Sequence, residues 1–274
     1  MVEIIAEIGW NHMGDMDLAK KMIEAAADSG ADYAKFQTFN IDNLKEGPWD
    51  EDGRREIYEK AQLSLEQHLE LKDFCDYVGI IFMSSAFTVG DAELLAQVST
   101  KCIKIPSIET SNTKLLRYCS RNFDKIFMST GATKLDEVNL AAANFVPEKL
   151  VLLHCVSSYP CPLEKVNLPR IMALKSTFSR VFSNSFGYSD HAEGIYAAVA
   201  ALDYNIDVIE KHFTIDRNLP GRDNKFAILP EELRELKYHI KAKDLANIDR
   251  GSNLYQDCEM DARTIYSGRW SKNE

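Results

Sequence analysis

The stretch SFGYSDHAEGIYAAVAALDYNIDVIEKHFT, residues 185–214, reads as one complete unit of a parallel sheet. An aromatic-rich run from Ser185 to Asp190 leads through Gly194 into an alanine-rich helical segment, and a β-branched run from Asp207 to Thr214 follows. Two strands joined by a helical crossover rather than a tight turn lie parallel.

The same beat runs the length of the chain. Further strand segments are EIIAEIG (3–9), YAKFQTF (33–39), IIFMSSA (80–86), CIKIPS (102–107), KIFMST (125–130) and KLVLLHCVS (149–157). Helical segments separate them, such as residues 16–30, where Leu18, Met22, Ile23 and Ala26 share one face and Gly30 supplies the stop. Eight strand-then-helix units, apolar on both strand faces, predict a closed (β/α)8 TIM barrel over residues 1–247. No GxGxxG follows the first strand, which argues against an open dinucleotide-binding sheet. The connection NIDNLKEGPWDEDGRREIYEKAQ, residues 40–62, is too long for a mere link and reads as a lid or substrate loop. Residues 248–274 are polar and glycine-punctuated, and predict a tail that wraps the surface or a neighbour rather than a second domain.

Bulk properties narrow the function. With 274 residues, 45% of them hydrophobic, the chain can bury a large core. A net charge of -10 without a Lys/Arg cluster argues against nucleic-acid binding, although a local basic pocket for a small anion is compatible with it. The six cysteines have no CxxC spacing and read as buried free thiols. With neither a basic leader nor a spanning segment, the expected setting is soluble and cytoplasmic.

In a barrel of this kind the chemistry collects where the strands end, so the last residues of each run are the candidates. Lys35 and Lys104 stand inside apolar strands, where an unpaired ammonium is costly. Together with Ser85, Ser107, Ser129, Ser157 and Ser189 they offer fixed charge and hydroxyl donors, which an ester phosphate requires. His191 and His212 end the neighbouring seventh and eighth strands and can converge on one divalent ion. Two imidazoles without thiolates suit six-coordinate Mn²⁺ or Co²⁺, with Mg²⁺ possible, better than a closed Zn²⁺ site. Asp190 reads as an orienter of the loop or of a metal-bound water, His154 as structural, and His68 and His239 as packing or solvated helix residues.

These residues resemble the sialic acid synthase family, which condenses phosphoenolpyruvate with N-acylated mannosamine-type sugars. The matching segments are AEIGWNHMGD, AKFQTF, KIPSIETSN, FMSTGA, LLHCVSSYP, GYSDHAEG, IEKHFTIDRNLPGRD and LPEELREL, in the family's order from Ile4 to Leu236. The resemblance implies metal ligation by His191 and His212, and phosphoenolpyruvate binding by Lys35, Ser85, Lys104, Ser107, Ser129, Ser157 and Ser189. It places Gln37, Tyr159 and Asp223 on the amino-sugar side, with Arg222 beside them, and Glu7, Glu109 and Lys35 at the reacting centre. Ser85 and Ser157 stand where some members have threonine and asparagine, and GRDN replaces the commoner GPDH. Most members continue into a small antifreeze-like domain that lends an arginine to the partner's sugar site in a homodimer. This chain ends at YSGRWSKNE, so the expectation is the barrel alone, with Arg222, Arg263 or Arg269 as candidate substitutes. Two rival expectations are a deoxyheptulosonate- or deoxyoctulosonate-phosphate-type synthase acting on a phosphorylated aldose, and a non-catalytic barrel serving as a binding subunit. Retention of Lys35, Lys104, Glu109, His191 and His212 together argues against the second.

Overall fold

A computed structural model describes residues 1–179, 185–249 and 255–270. Eight parallel strands close into a barrel in sequence order: β1 (Glu3–Gly9), β2 (Tyr33–Thr38), β3 (Ile81–Ala86), β4 (Cys102–Ile105), β5 (Lys125–Ser129), β6 (Leu150–Cys155), β7 (Ser185–Asp190) and β8 (Val208–His212). The helices are α1 (Met16–Asp28), α2 (Arg54–Ala61), α3 (Leu65–Val78), α4 (Val89–Val98), α5 (Thr113–Asn122), α6 (Leu135–Ala142), α7 (Arg170–Phe178), α8 (Tyr196–Ala201) and α9 (Pro230–Ala246). The expected (β/α)8 barrel is therefore the observed fold.

Two cores follow from the period-two alternation of a strand. Residues such as Ile4, Phe36, Ile103, Ile126, Leu152 and Ile209 point outward and pack against the helices. Their neighbours Ile5, Tyr33, Met83, Cys102, Phe127, Val151, Leu153 and Val208 fill the lumen. Gly187 is required there: a Cβ on it would lie 2.4 Å from both Val208 Cγ1 and the Val208 carbonyl oxygen. Beneath this plug Lys125 Nζ pairs with Glu3 Oε2 at 2.7 Å and donates to Tyr33 Oη, closing the floor.

Local start signals set the helices. Asp15 accepts from the Leu18 amide before α1, and Ser64 and Gln67 form a reciprocal capping box at α3. Gly79, at φ +81, ends α3 in the left-handed conformation.

Residues 40–62 are more ordered in pattern than a plain loop. They hold 3₁₀ turns at Ile41–Asn43 and Pro48–Asp50 and the extra helix α2. Tyr58 of α2 stacks near Trp10 and Phe39, with ring centroids 4.9 and 5.8 Å away. Aromatic burial thus anchors a segment whose composition is largely charged.

The chain divides into two compact units, Met1–Ile240 and Lys241–Glu274. The division falls inside α9, whose last buried residue is Ile240. Within the second unit Arg263 stacks over Tyr255 (4.5 Å) and Arg269 over Tyr266 and Trp270 (5.0 and 4.9 Å). All six cysteines are free; five are buried as expected, while Cys258 is exposed. No helix among the described residues is long and apolar enough to cross a membrane.

Candidate active site

Strand register assembles the site. Glu7 on β1 lies level with Lys35 on β2 and with His212 on β8. Gln37 is level with Ser85, Ser85 with Lys104, and Ser189 with Glu210. All of these lie in phase with the lumen residues below them, so the polar layer sits on top of the apolar plug.

At its centre is a buried network of two ammonium groups and two carboxylates. Lys104 Nζ donates to both oxygens of Glu210, at 2.7 and 2.9 Å. Lys35 Nζ lies 2.6 Å from Glu7 Oε2 and 3.7 Å from Glu210 Oε2, and donates to Ser85 Oγ at 3.0 Å. Ser189 Oγ donates to Glu210 Oε1 at 2.8 Å, and Gln37 Nε2 donates to Glu7 Oε1 at 2.7 Å. Burial opposes ionisation of Glu210, but Lys104 and Lys35 outweigh it and hold this carboxyl far below its ordinary range. For Glu7 burial wins over Lys35, with the Glu210 charge adding to it, and the carboxyl is pushed up. One carboxylate is thus firmly ionised while its neighbour is disposed to hold a proton.

Beside the lysines the ends of β4, β5 and β6 form a small cradle. The Gly131 amide donates to Ser107 Oγ at 2.9 Å. A Cβ on Gly131 would fall 2.4 Å from Ser157 Oγ and 3.0 Å from both Ser107 Oγ and Cys155 Sγ, so only glycine lets these groups converge. Ser129 Oγ is buried without a hydrogen-bond partner. Hydroxyls and a free donor next to two lysines are the complement of a phosphate.

The imidazoles of His191 and His212 face each other across the seam of β7 and β8, with ring centroids 5.5 Å apart. His191 Nδ1 donates to the Val156 carbonyl at 2.8 Å, which leaves Nε2 as its lone-pair nitrogen. Burial, helped by the charges of His191 and Lys35, holds His212 well below the usual histidine range, so its ring is neutral, whereas for His191 the opposing effect of burial is outweighed by Cys155 and its range is raised. His212 Nδ1 is buried with no hydrogen-bond partner and lies 3.6 Å from Asp223 Oδ2. Two imidazoles beside a carboxylate are a donor set that fits a divalent cation. Among the described residues no group of three or more His, Cys, Asp or Glu side chains could hold a metal ion, so this chain's own donor set here is the pair of imidazoles.

On the outer side Tyr159 lies 4.1 Å from the His191 ring, centroid to centroid, and Phe226 lies 5.0 Å from the His212 ring. Burial and the charge of Glu7 raise Asp223 to about 6. Exposed Arg222 interacts with Asp52 and Tyr58 as well as Asp223, which places it where residues 40–62 meet the turn after β8.

Other predicted residues sit apart. Glu109 is half-buried on the turn after β4, where Oε2 accepts from Asn112 Nδ2 at 2.9 Å, outside the buried charge network. His154 faces the helices, stacked on Tyr188 and bonded through Nε2 to the Val166 carbonyl at 2.7 Å, a structural role. His68 is fully buried rather than solvated, bridging Thr38 Oγ1 and the Ser64 carbonyl. Asp190 points away from the lumen and pairs with Lys211, so it orients the loop and not a bound water. Sequence reasoning missed the role of Glu210. Its signal was the alternation itself, since it stands two residues before His212 on the same strand face.

A family model described as the NeuB family matches residues 22–250. The N,N'-diacetyllegionaminic acid synthase of Campylobacter jejuni is 38% identical, over 87% of this chain and 75% of that protein. The human N-acetylneuraminate-9-phosphate synthase is 32% identical, over 94% of this chain and 74% of that protein. The crystal structure of the N-acetylneuraminic acid synthetase of Leptospira borgpetersenii, in complex with citrate, superposes with a TM-score of 0.83 at 30% identity, covering 97% of this chain and 93% of that one.

Proposed function

The chain belongs to the NeuB family, and from that premise we propose that it condenses phosphoenolpyruvate with an N-acylated, mannosamine-type amino sugar to give a nonulosonic acid and phosphate. The observation that carries this reading is the pair of buried lysines, Lys35 and Lys104, capped by carboxylates and bordered by the Ser107, Gly131 and Ser157 cradle.

Lys104 and Lys35 hold the phosphate and carboxylate of phosphoenolpyruvate, with Ser85, Ser107, Ser129, Ser157 and Ser189 as hydroxyl donors. An arriving trianion adds negative charge to a network in which Glu210 is already firmly ionised. Glu7, pushed up by burial, relieves this by taking a proton as the substrate binds. Gln37, Tyr159, Arg222 and Asp223 line the acceptor side. His191 and His212 would hold a divalent ion, most simply Mn²⁺, which when bound polarises the acceptor's aldehyde oxygen.

Fixing both substrates removes much of the entropic barrier to joining them. A new bond forms between C3 of phosphoenolpyruvate and the aldehyde carbon, and Glu7 gives its proton to the alkoxide. Water then adds to the cationic C2, losing its proton to Glu109, whose present partner is a neutral amide. Collapse of the tetrahedral centre breaks the bond from C2 to the bridging oxygen, and phosphate leaves with that oxygen.

The test is a mass-spectrometric product screen with phosphoenolpyruvate labelled with ¹⁸O at the bridging position, Mn²⁺, and 2-acylamino aldoses with and without a terminal phosphate. A nonulosonic acid with the label in phosphate supports the reading. Label retained in the keto acid, or phosphate released without any sugar, overturns it.

A further inference from the structure

Behind the two imidazoles, on the opposite face of the same strands, lies a second buried ion pair. On β7 and β8 the residues Ser189, Glu210 and His212 face the lumen, while Phe186, Tyr188 and Ile209 pack outward against the helices. Asp190 and Lys211 belong to the outward set, are level with each other in the register, and are each 1% exposed. Lys211 Nζ lies 2.9 Å from Asp190 Oδ2.

Both partners also hold the residue that follows His191. Asp190 Oδ1 accepts from the Ala192 amide at 2.8 Å and from Tyr188 Oη at 3.0 Å. Lys211 Nζ donates to the Ala192 carbonyl. The carbonyl of His191 itself accepts from the Cys161 amide at 2.9 Å. His191 is therefore flanked by Asp190, anchored to β8, and by Ala192, whose two backbone polar groups are both taken. His212 directly follows Lys211, so the same pair ties together the backbones that carry both rings.

Adhesion alone is a weak reason for such a pair, because desolvating two charges offsets most of their attraction. Geometry is the better reason: two ligands on separate strands bind one ion only at a fixed separation, and groups that orient ligands tune that affinity. We propose that Lys211 and Asp190 are positioning residues that set the spacing of the His191 and His212 imidazoles and thereby the affinity for a divalent cation. The inference rests on the reading of those histidines as cation ligands.

The test uses the whole chain and reads Mn²⁺ binding by electron paramagnetic resonance, with melting temperature and metal-free phosphoenolpyruvate binding by calorimetry alongside. The variants are Lys211→Met, which strands Asp190, and the double variant Lys211→Met with Asp190→Leu, which replaces the pair by apolar side chains and guards against a folding defect. In the double variant the protein still folds, at a lower melting temperature because Tyr188 Oη and the Ala192 backbone groups lose partners, and phosphoenolpyruvate binding is unchanged, while Mn²⁺ binding weakens about 10- to 100-fold. A folded double variant that binds Mn²⁺ like wild type, when His191→Ala and His212→Ala do not, overturns this inference alone. Wild-type protein that binds no Mn²⁺, or histidine variants that bind it as well as wild type, overturns the cation reading and this inference with it.

Discussion

Both carboxylate oxygens of Glu210 lie within 2.9 Å of Lys104 Nζ, so a carboxylate from across the barrel already occupies the ammonium that a substrate anion would seek. Burial pulls Lys104 below the ordinary lysine range while the pairing with Glu210 works against that loss, and the pairing makes anion binding an exchange of partners. Glu210→Gln keeps the shape and removes the charge, leaving the two lysines in excess. The substrate-free variant should lose about 3 kcal/mol of stability. Phosphoenolpyruvate, which restores negative charge, should then raise the variant's melting temperature by more than it raises that of wild type. Thermal scans with and without ligand check this, and an equal or smaller rise contradicts the exchange.

His191→Ala and His212→Ala should each abolish condensation while leaving circular dichroism unchanged and melting temperature within a few degrees of wild type. Each removes one ring from the seam and neither touches the lysine network, so metal-free phosphoenolpyruvate binding should persist. Full turnover of either variant in chelated buffer would sink the cation role.

The barrel was legible because its strands differ so plainly from its helices. Segments such as EIIAEIG and SFGYSD coincide with β1 and β7 to the residue. The site was legible by position, since strand ends carry the chemistry in this architecture. What escaped was partnership. Lys35 and Lys104 are recognisable as lysines that need a counter-charge, but spacing along one strand does not reveal that Glu7 on the neighbouring strand supplies it for Lys35 and Glu210, four strands away, for Lys104. Asp190 reads from sequence as an orienter either of the loop or of a metal-bound water, and its place beside His191 does not choose between them. Alternation turns adjacent side chains to opposite faces, and Asp190 meets Lys211. The helix within residues 40–62 escaped for another reason: its anchor, Tyr58 against Trp10 and Phe39, is a tertiary contact in a segment rich in charge.

Gly131→Ala should damage phosphate binding with little effect on the fold. The added methyl meets Ser157 Oγ at 2.4 Å and Ser107 Oγ at 3.0 Å, which the cradle relieves by turning its hydroxyls away. Losing two donors to an anion weakens binding by about 2 to 3 kcal/mol, which is on the order of 30- to 150-fold in Kd. Calorimetry with phosphoenolpyruvate measures it, and a Kd within about threefold of wild type, under half of that loss, contradicts the cradle.

The last prediction concerns pH and the metal-free protein. Asp223 has its carboxyl raised from 3.8 to about 6, first by burial and then by Glu7. A raised folded pKa means that the fold binds this proton more tightly than the unfolded chain does. The resulting stability is complete below about 3.8, falls as pH rises, and is gone above about 6, where the ionised carboxylate costs up to about 3 kcal/mol. Asp223→Asn cannot ionise, so in chelated buffer it should match wild type near pH 4 and exceed it in stability at pH 8. Denaturant melts at the two pH values separate the outcomes. A stability gap that is the same at both, or larger at pH 4, would show that Asp223 does not carry the proton assigned to it.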